Sequence, residues 1–143
     1  MNQPALINFT CHPLHLRPVT DQDLDILRNI YASTREDEMQ MTGWNADEIR
    51  TFLTMQFNAQ HRYYQTMYAS DSFQLIMVGD AVAGRLYLGR WPEEIRIIDI
   101  TLLPAFRGQG IGHRLLHDVQ LEATAKHLQI SIHVEKNNPA QRL

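Results

Sequence analysis

The sequence predicts an α/β chain (α+β in strict terms) with three layers, a mixed sheet lying between helices on both faces. Three observations carry this reading. Strand-like and helix-like periods alternate in the order strand, two helices, hairpin, strand, helix, strand. The 143 residues suffice for one domain of ordinary size and not for two well-packed ones. With 44% apolar and 20% charged residues, the chain has a core to bury and is neither a disordered nor a disulfide-stapled composition. An antiparallel hairpin followed by a strand-helix-strand unit puts both pairing senses into one sheet.

Residues 15–19 read as a short opening strand. Thr20, with Asp23 three residues on, is close to a capping box and starts a helix over 21–33. Its apolar residues Leu24, Leu27, Ile30 and Tyr31 recur at spacings of three and four and make one buried stripe. Residues 34–45 have no clear period and read as a loop or broken helix, after which Asn45 caps a long helix over 46–68. The stripe of that helix runs through Ile49, Phe52, Leu53, Gln56, Gln60, Tyr63 or Tyr64, and Met67, which places two glutamines on the inward face. Strands over 73–78 and 81–88 flank Gly79-Asp80, a pair suited to a two-residue hairpin turn. A strand over 94–103 ends at Pro104, and a glycine-rich turn leads into a helix with Ile111, Leu115, Val119 and Ala123 on one side. Ile130, Ile132 and Val134 alternate with Ser131 and His133 in a closing strand over 129–134. There is no internal repeat, low-complexity tract or linker, so residues 1–143 are expected to form a single domain.

The net charge of −3 argues against a general nucleic-acid binder, and its distribution says more than its sum. Residues 21–48 hold eight acids against Arg28 and Arg35, a local charge of −6; residues 85–114 hold five arginines against three acids, a local charge of +2. The first region suits a cation and the second an anion. Cys11 is the single cysteine and cannot close an intramolecular disulfide, and the first 16 residues contain no Lys or Arg, so a reducing, cytoplasmic setting is expected. No stretch approaches the roughly 20 apolar residues that span a bilayer, since Asp99 breaks even the run around Ile97, and no membrane role is expected. His113 and His117 lie four apart on one helix without a third ligand, so no metal site is expected.

The chemistry concentrates in Leu102-Leu103-Pro104-Ala105-Phe106-Arg107-Gly108-Gln109-Gly110-Ile111-Gly112-His113-Arg114, between a strand and a helix. Glycines at 108, 110 and 112 clear the backbone of side chains and permit a tight turn. The unpaired N–H groups of the following helix then face outward at its positive dipole end, a site for a phosphate or pyrophosphate, with Arg107 and Arg114 at either side. A P-loop fails because Gly112 is followed by His113-Arg114 rather than Lys and Ser or Thr. A dinucleotide fingerprint fails because His113 stands where the third glycine belongs. A turn without a ligand is the plain alternative; the arginine, the three alternating glycines and the strand ending in proline weigh against it.

The pattern Leu102-x-Pro104-x-x-Arg107-Gly108-x-Gly110-Ile111-Gly112 resembles motif A of the Gcn5-related N-acetyltransferases (GNAT), whose core is (Q/R)-x-x-G-x-(G/A), and the order of elements over residues 15–143 is similar to that fold. The resemblance implies a mostly antiparallel sheet whose motif strand is splayed from the next by a β-bulge. It implies acetyl-CoA as cosubstrate, its pyrophosphate on the backbone of Arg107, Gly108, Gln109, Gly110, Ile111 and Gly112. It also sets the pantetheine arm against Ile100, Leu102 and Leu103, with the Leu102 amide donating to the thioester oxygen where negative charge grows. Asn137, Ala140 and Leu143 match the family's later motif in register, and Asn137 is thereby a cofactor contact. The chain stops one residue short of that motif's tyrosine and of the final strand. A C-terminus truncated relative to the family is therefore expected, or else a sheet closed by a second copy in a homodimer.

Direct attack requires a neutral amine, so a base or a water chain must take its proton. Asp99 interrupts Ile95, Ile97, Ile98, Ile100 and Leu102, a buried setting of the kind that tunes a carboxylate for this work, and is the candidate base. The alternative is a structural carboxylate paired with Arg85 or Arg96, or bonded to backbone N–H groups at the bulge. His133 is of a residue type suited to proton transfer, although exposed or satisfied histidines are the commoner outcome. Gln56 and Gln60, if buried, must be hydrogen-bonded. Either they pair with backbone where the helix crosses the sheet, or they line a polar acceptor pocket with Tyr31, Trp44 and Tyr64. The resemblance favours the pocket, since that family builds its acceptor site from the first two helices and the loop between them. The acidic segment spans the same region and points to a cationic acceptor, a primary amine on a small molecule or a peptide. The expected function is N-acetyl transfer in a ternary complex, without an acyl-enzyme. The alternative is a degenerate CoA- or acyl-CoA-binding sensor or partner-binding module.

Overall fold

Two reciprocal caps set the helical layer. In the computed structural model, which describes residues 13–133, the chain opens with strand β1 (Leu14–Pro18). The Thr20 side chain then accepts from the Gln22 amide, while the Asp23 carboxylate accepts from the Thr20 N–H at 2.7 Å. This capping box starts a 3-10 turn that runs on into helix α1 (Leu24–Thr34). The aperiodic stretch that follows contains a short helix, α2 (Glu36–Gln40), with Met39 buried. Asn45 and Glu48 exchange bonds of 2.9 Å at the start of α3 (Ala46–Met67), the second capping box.

The sheet follows chain order: β1, β2 (Phe73–Val78), β3 (Ala81–Arg90), β4 (Glu94–Leu102) and β5 (Gln129–Ile132). Pairing is antiparallel from β1 to β4 and parallel between β4 and β5, so the sheet is mixed and mostly antiparallel. The β2–β3 turn is Gly79-Asp80, with Gly79 at φ +60°. Helix α4 (Ile111–Lys126) makes the crossover to β5.

Two apolar layers sandwich the sheet. Leu27, Ile30 and Tyr31 of α1 and Leu53, Phe57 and Tyr64 of α3 pack with Leu75, Tyr87 and Ile98. On the other face Ile111, Leu115, Val119 and Ala123 of α4, the whole stripe read from the sequence, pack with Leu86, Ile95, Ile97 and Ile100. Burying each such side chain contributes about 1.5–3 kcal/mol before entropy is counted. Inward positions on both helices differ from the sequence reading. Leu24 opens α1 at its outer edge and is 39% exposed. On α3 the inward row runs Leu53, Phe57, Gln60 and Tyr64, leaving Gln56 half-buried and Tyr63 and Met67 exposed. A row at spacings of four, three and four fixes that helical phase.

Both sides of β3 carry a bulge. Ile76 faces Gly84 while Met77 faces Val82, so Ala83 is extra on β3. Tyr87 faces Asp99 while Leu88 faces Ile97, so Ile98 is extra on β4. Gly84 is required where it stands: a Cβ there would lie 2.0 Å from the Thr101 carbonyl oxygen.

Candidate active site

Beyond the Ile98 bulge, among the described residues, β4 presents a free edge. The Leu103 N–H donates to Ala83 at 2.8 Å. Antiparallel alternation then turns Thr101 and Asp99 toward β3, and Ile100 and Leu102 away from it. On the far side the β5 pairing ends where the His133 N–H donates to the Ile97 carbonyl at 2.8 Å. Past that rung, among the described residues, the amides of Ile100 and Leu102 meet no strand. The bulge expected in the motif strand is present, at Ile98. Leu103, expected on the cofactor arm, is a correction: its N–H is spent on Ala83 and its side chain packs toward α1 and α3.

The free edge runs into a turn built for an anion. After a 3-10 turn at Pro104–Phe106, Gly108 and Gly110 sit at φ +73° and +85°, the left-handed region that favours glycine. A Cβ at Gly108 would meet nothing within 4 Å, so conformation and not crowding selects glycine there. Gly110 is the N-cap of α4 and supplies no side chain to bond the first amides, leaving Ile111, Gly112 and His113 with outward N–H groups at the positive helix end. Gln109 ties the turn through its Nε2, which donates to the Ala105 carbonyl at 2.9 Å. Arg107, expected to lend its charge to an anion, folds back instead: its Nε donates to the Leu102 carbonyl at 2.8 Å, and Nη2 lies 3.5 Å from Ser33 Oγ. It straps the turn to β4 and to α1. Arg114 stays exposed beside Asp118, at 4.0 Å. A row of outward amides followed by a strand edge fits a pyrophosphate joined to an amide-bearing arm.

The bulge sets Asp99 on the α1/α3 side of the sheet. Its Oδ2 accepts from Arg85 Nη2 at 2.7 Å, and its Oδ1 from the Thr101 hydroxyl at 2.7 Å. The Tyr64 hydroxyl stands 3.5 Å from Oδ2, and Arg85 Nη2 also donates to Gln60 Oε1 at 2.9 Å. The guanidinium lies over the Tyr87 ring, 4.9 Å from its centroid. Burial penalises the Arg85 charge, but the Asp99 carboxylate, with Tyr87 and Tyr64 beside it, more than offsets this and holds the guanidinium above its ordinary value. Burial pushes the Tyr87 phenol up. Asp99 thus has the geometry of the structural alternative: it accepts from Arg85 and Thr101 and is the counter-charge of a buried guanidinium.

The other expected acceptor residues do not converge. Tyr31 is buried and its hydroxyl accepts from Arg35 at 2.8 Å. Trp44 is 42% exposed and packs edge-on against Phe52. Gln56 lies on the flank of α3, and Gln60 and Tyr64 belong to the Arg85–Asp99 cluster. A cleft of about 410 Å³ opens instead between α1, α2 and α3, lined by Asn29, Ser33, Glu36, Met39, Leu53 and Pro104 among others. Pro104 and the Ser33–Arg107 contact join it to the glycine turn. No local pattern marks these residues, because they come from the flanks of three helices and share no period. His133, weighed less heavily in the sequence, is half-buried at the last β4–β5 rung, with its ring edge-on to Tyr64 at 6.4 Å. Asn137 lies outside the described residues. Among the described residues no three His, Cys, Asp or Glu side chains gather, and no helix is long and apolar enough to cross a membrane.

The sequence model of the Acetyltransferase (GNAT) family matches residues 27–143. Among solved structures the chain is similar to the PaiA N-acetyltransferase of Thermoplasma acidophilum in complex with coenzyme A, with a TM-score of 0.59 and 13% identity over 90% of this chain and 84% of that one. It is also similar to Naa50 of Arabidopsis thaliana in complex with the bisubstrate analogue CoA-Ac-MVNAL, with a TM-score of 0.51 and 21% identity over 90% of this chain and 76% of that one. At these identities the likeness is one of fold. No curated protein sequence matches.

Proposed function

The chain belongs to the GNAT family of acetyltransferases, and on that premise we propose that it transfers the acetyl group of acetyl-CoA to a primary amine by direct attack within a ternary complex. The observation that carries this reading is the continuity of the free β4 edge with the uncapped glycine turn, two backbone surfaces in the order that the cosubstrate needs them. Acetyl-CoA supplies an acetyl group activated as a thioester. The amides of residues 108–112 take the pyrophosphate, and their preset orientation costs no rearrangement on binding. Ile100 offers the arm an amide and a carbonyl, while the Leu102 N–H is placed to donate to the thioester oxygen as charge grows on it. Because Arg107 occupies the Leu102 carbonyl, that position presents a donor only.

The acceptor enters through the cleft between α1, α2 and α3. Its floor is apolar, Glu36 stands on its rim, and the segment around it carries the local charge of −6, which draws cations. Calorimetric titration with acetyl-CoA and with CoA, beside a Gly110→Asp variant, tests the cofactor site; micromolar binding that the variant loses is the expected result. Thiol release is then followed with a panel of spermidine, an arylalkylamine and a lysine-bearing peptide. Tight binding of acetyl-CoA with no thiol release for any amine would replace the enzyme by the sensor reading.

A further inference from the structure

We infer that a cavity at the far end of the sheet, between the end of α3 and the β3–β4 turn, binds a small organic ammonium ion. It is separate from the cofactor edge. Gly84 faces Leu102 on β4 and Gly89 faces Arg96; at roughly 3.3 Å per residue, Gly84 and Gly89 stand on the order of 15 Å apart. Two aromatic rings wall the cavity. Tyr68 is the C-cap of α3, where its N–H donates to the Tyr64 carbonyl at 2.9 Å. Trp91 opens the turn after β3, where its N–H donates to the Glu94 carbonyl at 2.9 Å. Their ring centroids are 6.1 Å apart and their planes are tilted by 55°, which makes a corner rather than a stack. With Asp71 and Ser72 they line a cavity of about 100 Å³, room for a head group and not for a long chain.

The indole is seated rather than loosely displayed. A Cβ at Gly89 would lie 2.4 Å from the Trp91 ring, so β3 gives up a side chain to hold an indole that is still 40% exposed. The Arg96 guanidinium braces the ring 5.2 Å from its centroid, and its charge is offset by Glu94 at 3.7 Å. Charge then selects the ligand. The charged residues of the lining are Asp71 and Arg90. Alternation along β3 sends Arg90 to the α4 side with Leu86 and Leu88, where Glu122 accepts from its guanidinium at 2.8 and 3.0 Å. Asp71 acts on Arg90 through space alone. It projects from the 3-10 turn Ser70–Ser72, and among the described residues no hydrogen bond or ion pair engages its carboxylate. The cavity thus sets an unspent negative charge beside two aromatic rings. An alkylammonium ion answers both, its charge drawn by the carboxylate and the ring quadrupoles and its methyl groups packed on apolar carbon. A hard inorganic cation would find one carboxylate and no cage of oxygens, and an anion would face Asp71.

Trp44 and Trp91 are the two tryptophans of the chain, so the full chain labelled with ¹⁵N-tryptophan gives two indole N–H resonances, assigned with Trp44→Phe. The probes are tetramethylammonium chloride and choline chloride, beside sodium chloride at equal ionic strength and tert-butanol, which has a similar shape and no charge. The Trp91 resonance is expected to shift saturably with both ammonium salts and with neither control. Asp71→Asn is expected to weaken binding about fivefold, the worth of an opposite charge at contact in water. Tyr68→Leu is expected to weaken it about 2- to 30-fold, the worth of one cation–ring contact, while Tyr68→Phe keeps most of it. An equal shift with tert-butanol, a shift that Asp71→Asn leaves unchanged, or no saturable shift at millimolar ammonium overturns the assignment. A trimethyllysine peptide that binds more than about tenfold tighter than choline overturns the small ion in favour of a protein partner. None of these residues serves the cofactor edge, so every outcome leaves the acetyl-CoA reading as it stands.

Discussion

Arg85 Nη2 lies 2.7 Å from Asp99 Oδ2, and each side chain is 2% exposed. A charge pair so deep gains from its mutual attraction about what it loses in hydration, so its presence does not stabilise the core, but removal of one partner does destabilise it. Arg85→Met is expected to cost about 3–5 kcal/mol in denaturant unfolding, and Asp99→Leu a similar amount. The double variant is expected to cost less than the two together, with a coupling of about 0.5–3 kcal/mol. Additive losses would show that the pair does not act as a unit.

Gly84 tests the close approach of β3 and β4. The obstacle to a methyl group there is backbone, the Thr101 carbonyl at 2.0 Å, which has no rotamer to yield. Gly84→Ala is expected to destabilise the fold by about 1–3 kcal/mol or more and to weaken acetyl-CoA binding, because β4 must shift along its free edge. Gly43→Ala is the control: φ is +75° in open space, so the cost is conformational alone, about 1 kcal/mol, with binding unchanged. Differential scanning and calorimetry on both variants decide it.

Acetyl-CoA binding is also readable as stability. At a hundredfold excess over Kd a ligand specific for the folded chain adds about 2.7 kcal/mol, which raises Tm by several degrees. Gly110→Asp, with a carboxylate facing the outward amides, is expected to abolish that rise. An equal Tm rise in the variant would move the anion site elsewhere.

Asp23 gives the fold an acid limit. Bonds from the Arg17 guanidinium, and from the Thr20 backbone and hydroxyl, hold its carboxyl below the usual carboxylate range. A carboxyl depressed in the folded state contributes stability that is complete above its unfolded value, near pH 4, and is lost as pH falls through the folded one. Asp23→Asn is therefore expected to cost about 1 kcal/mol at pH 7 and to converge with the parent as the solution is acidified below pH ~4. A constant difference across that range would mean that charge plays no part.

What the sequence disclosed divides by distance along the chain. The Thr20–Asp23 capping box, the Asn45 cap, the Gly79-Asp80 turn, the α4 stripe and the glycine motif were legible because each signal lies within a few residues of its effect. The inward phase of α3 was misread by one residue at Gln56 because Phe57 is chosen by what it packs against, Tyr31 at 6.2 Å among them. Arg107 read as a free cation, since nothing local shows that Leu102 and Ser33 stand within its reach. Arg85 was named as one possible partner of Asp99, but only the register of β3 on β4 selects it over Arg96. The acceptor cleft was illegible for the same reason, being assembled from three helices and Pro104.

The extra residue at Ile98 also decides which chemistry each core receives. Ile95 and Ile97 face α4, and so does Ile100, although three positions separate Ile97 from Ile100 and a regular strand would turn them to opposite sides. Pairing Ile98 into the ladder as an ordinary residue, with no bulge, would impose simple alternation and invert everything after it. Ile100 and Leu102 would then rotate into the layer of α1 and α3, and Asp99 into a layer whose buried members are all apolar, on the other side of the sheet from Arg85. The strand thus carries a frameshift in space: one inserted residue lets a single run of sequence serve a wholly apolar interior before it and a charged, cleft-facing one after it.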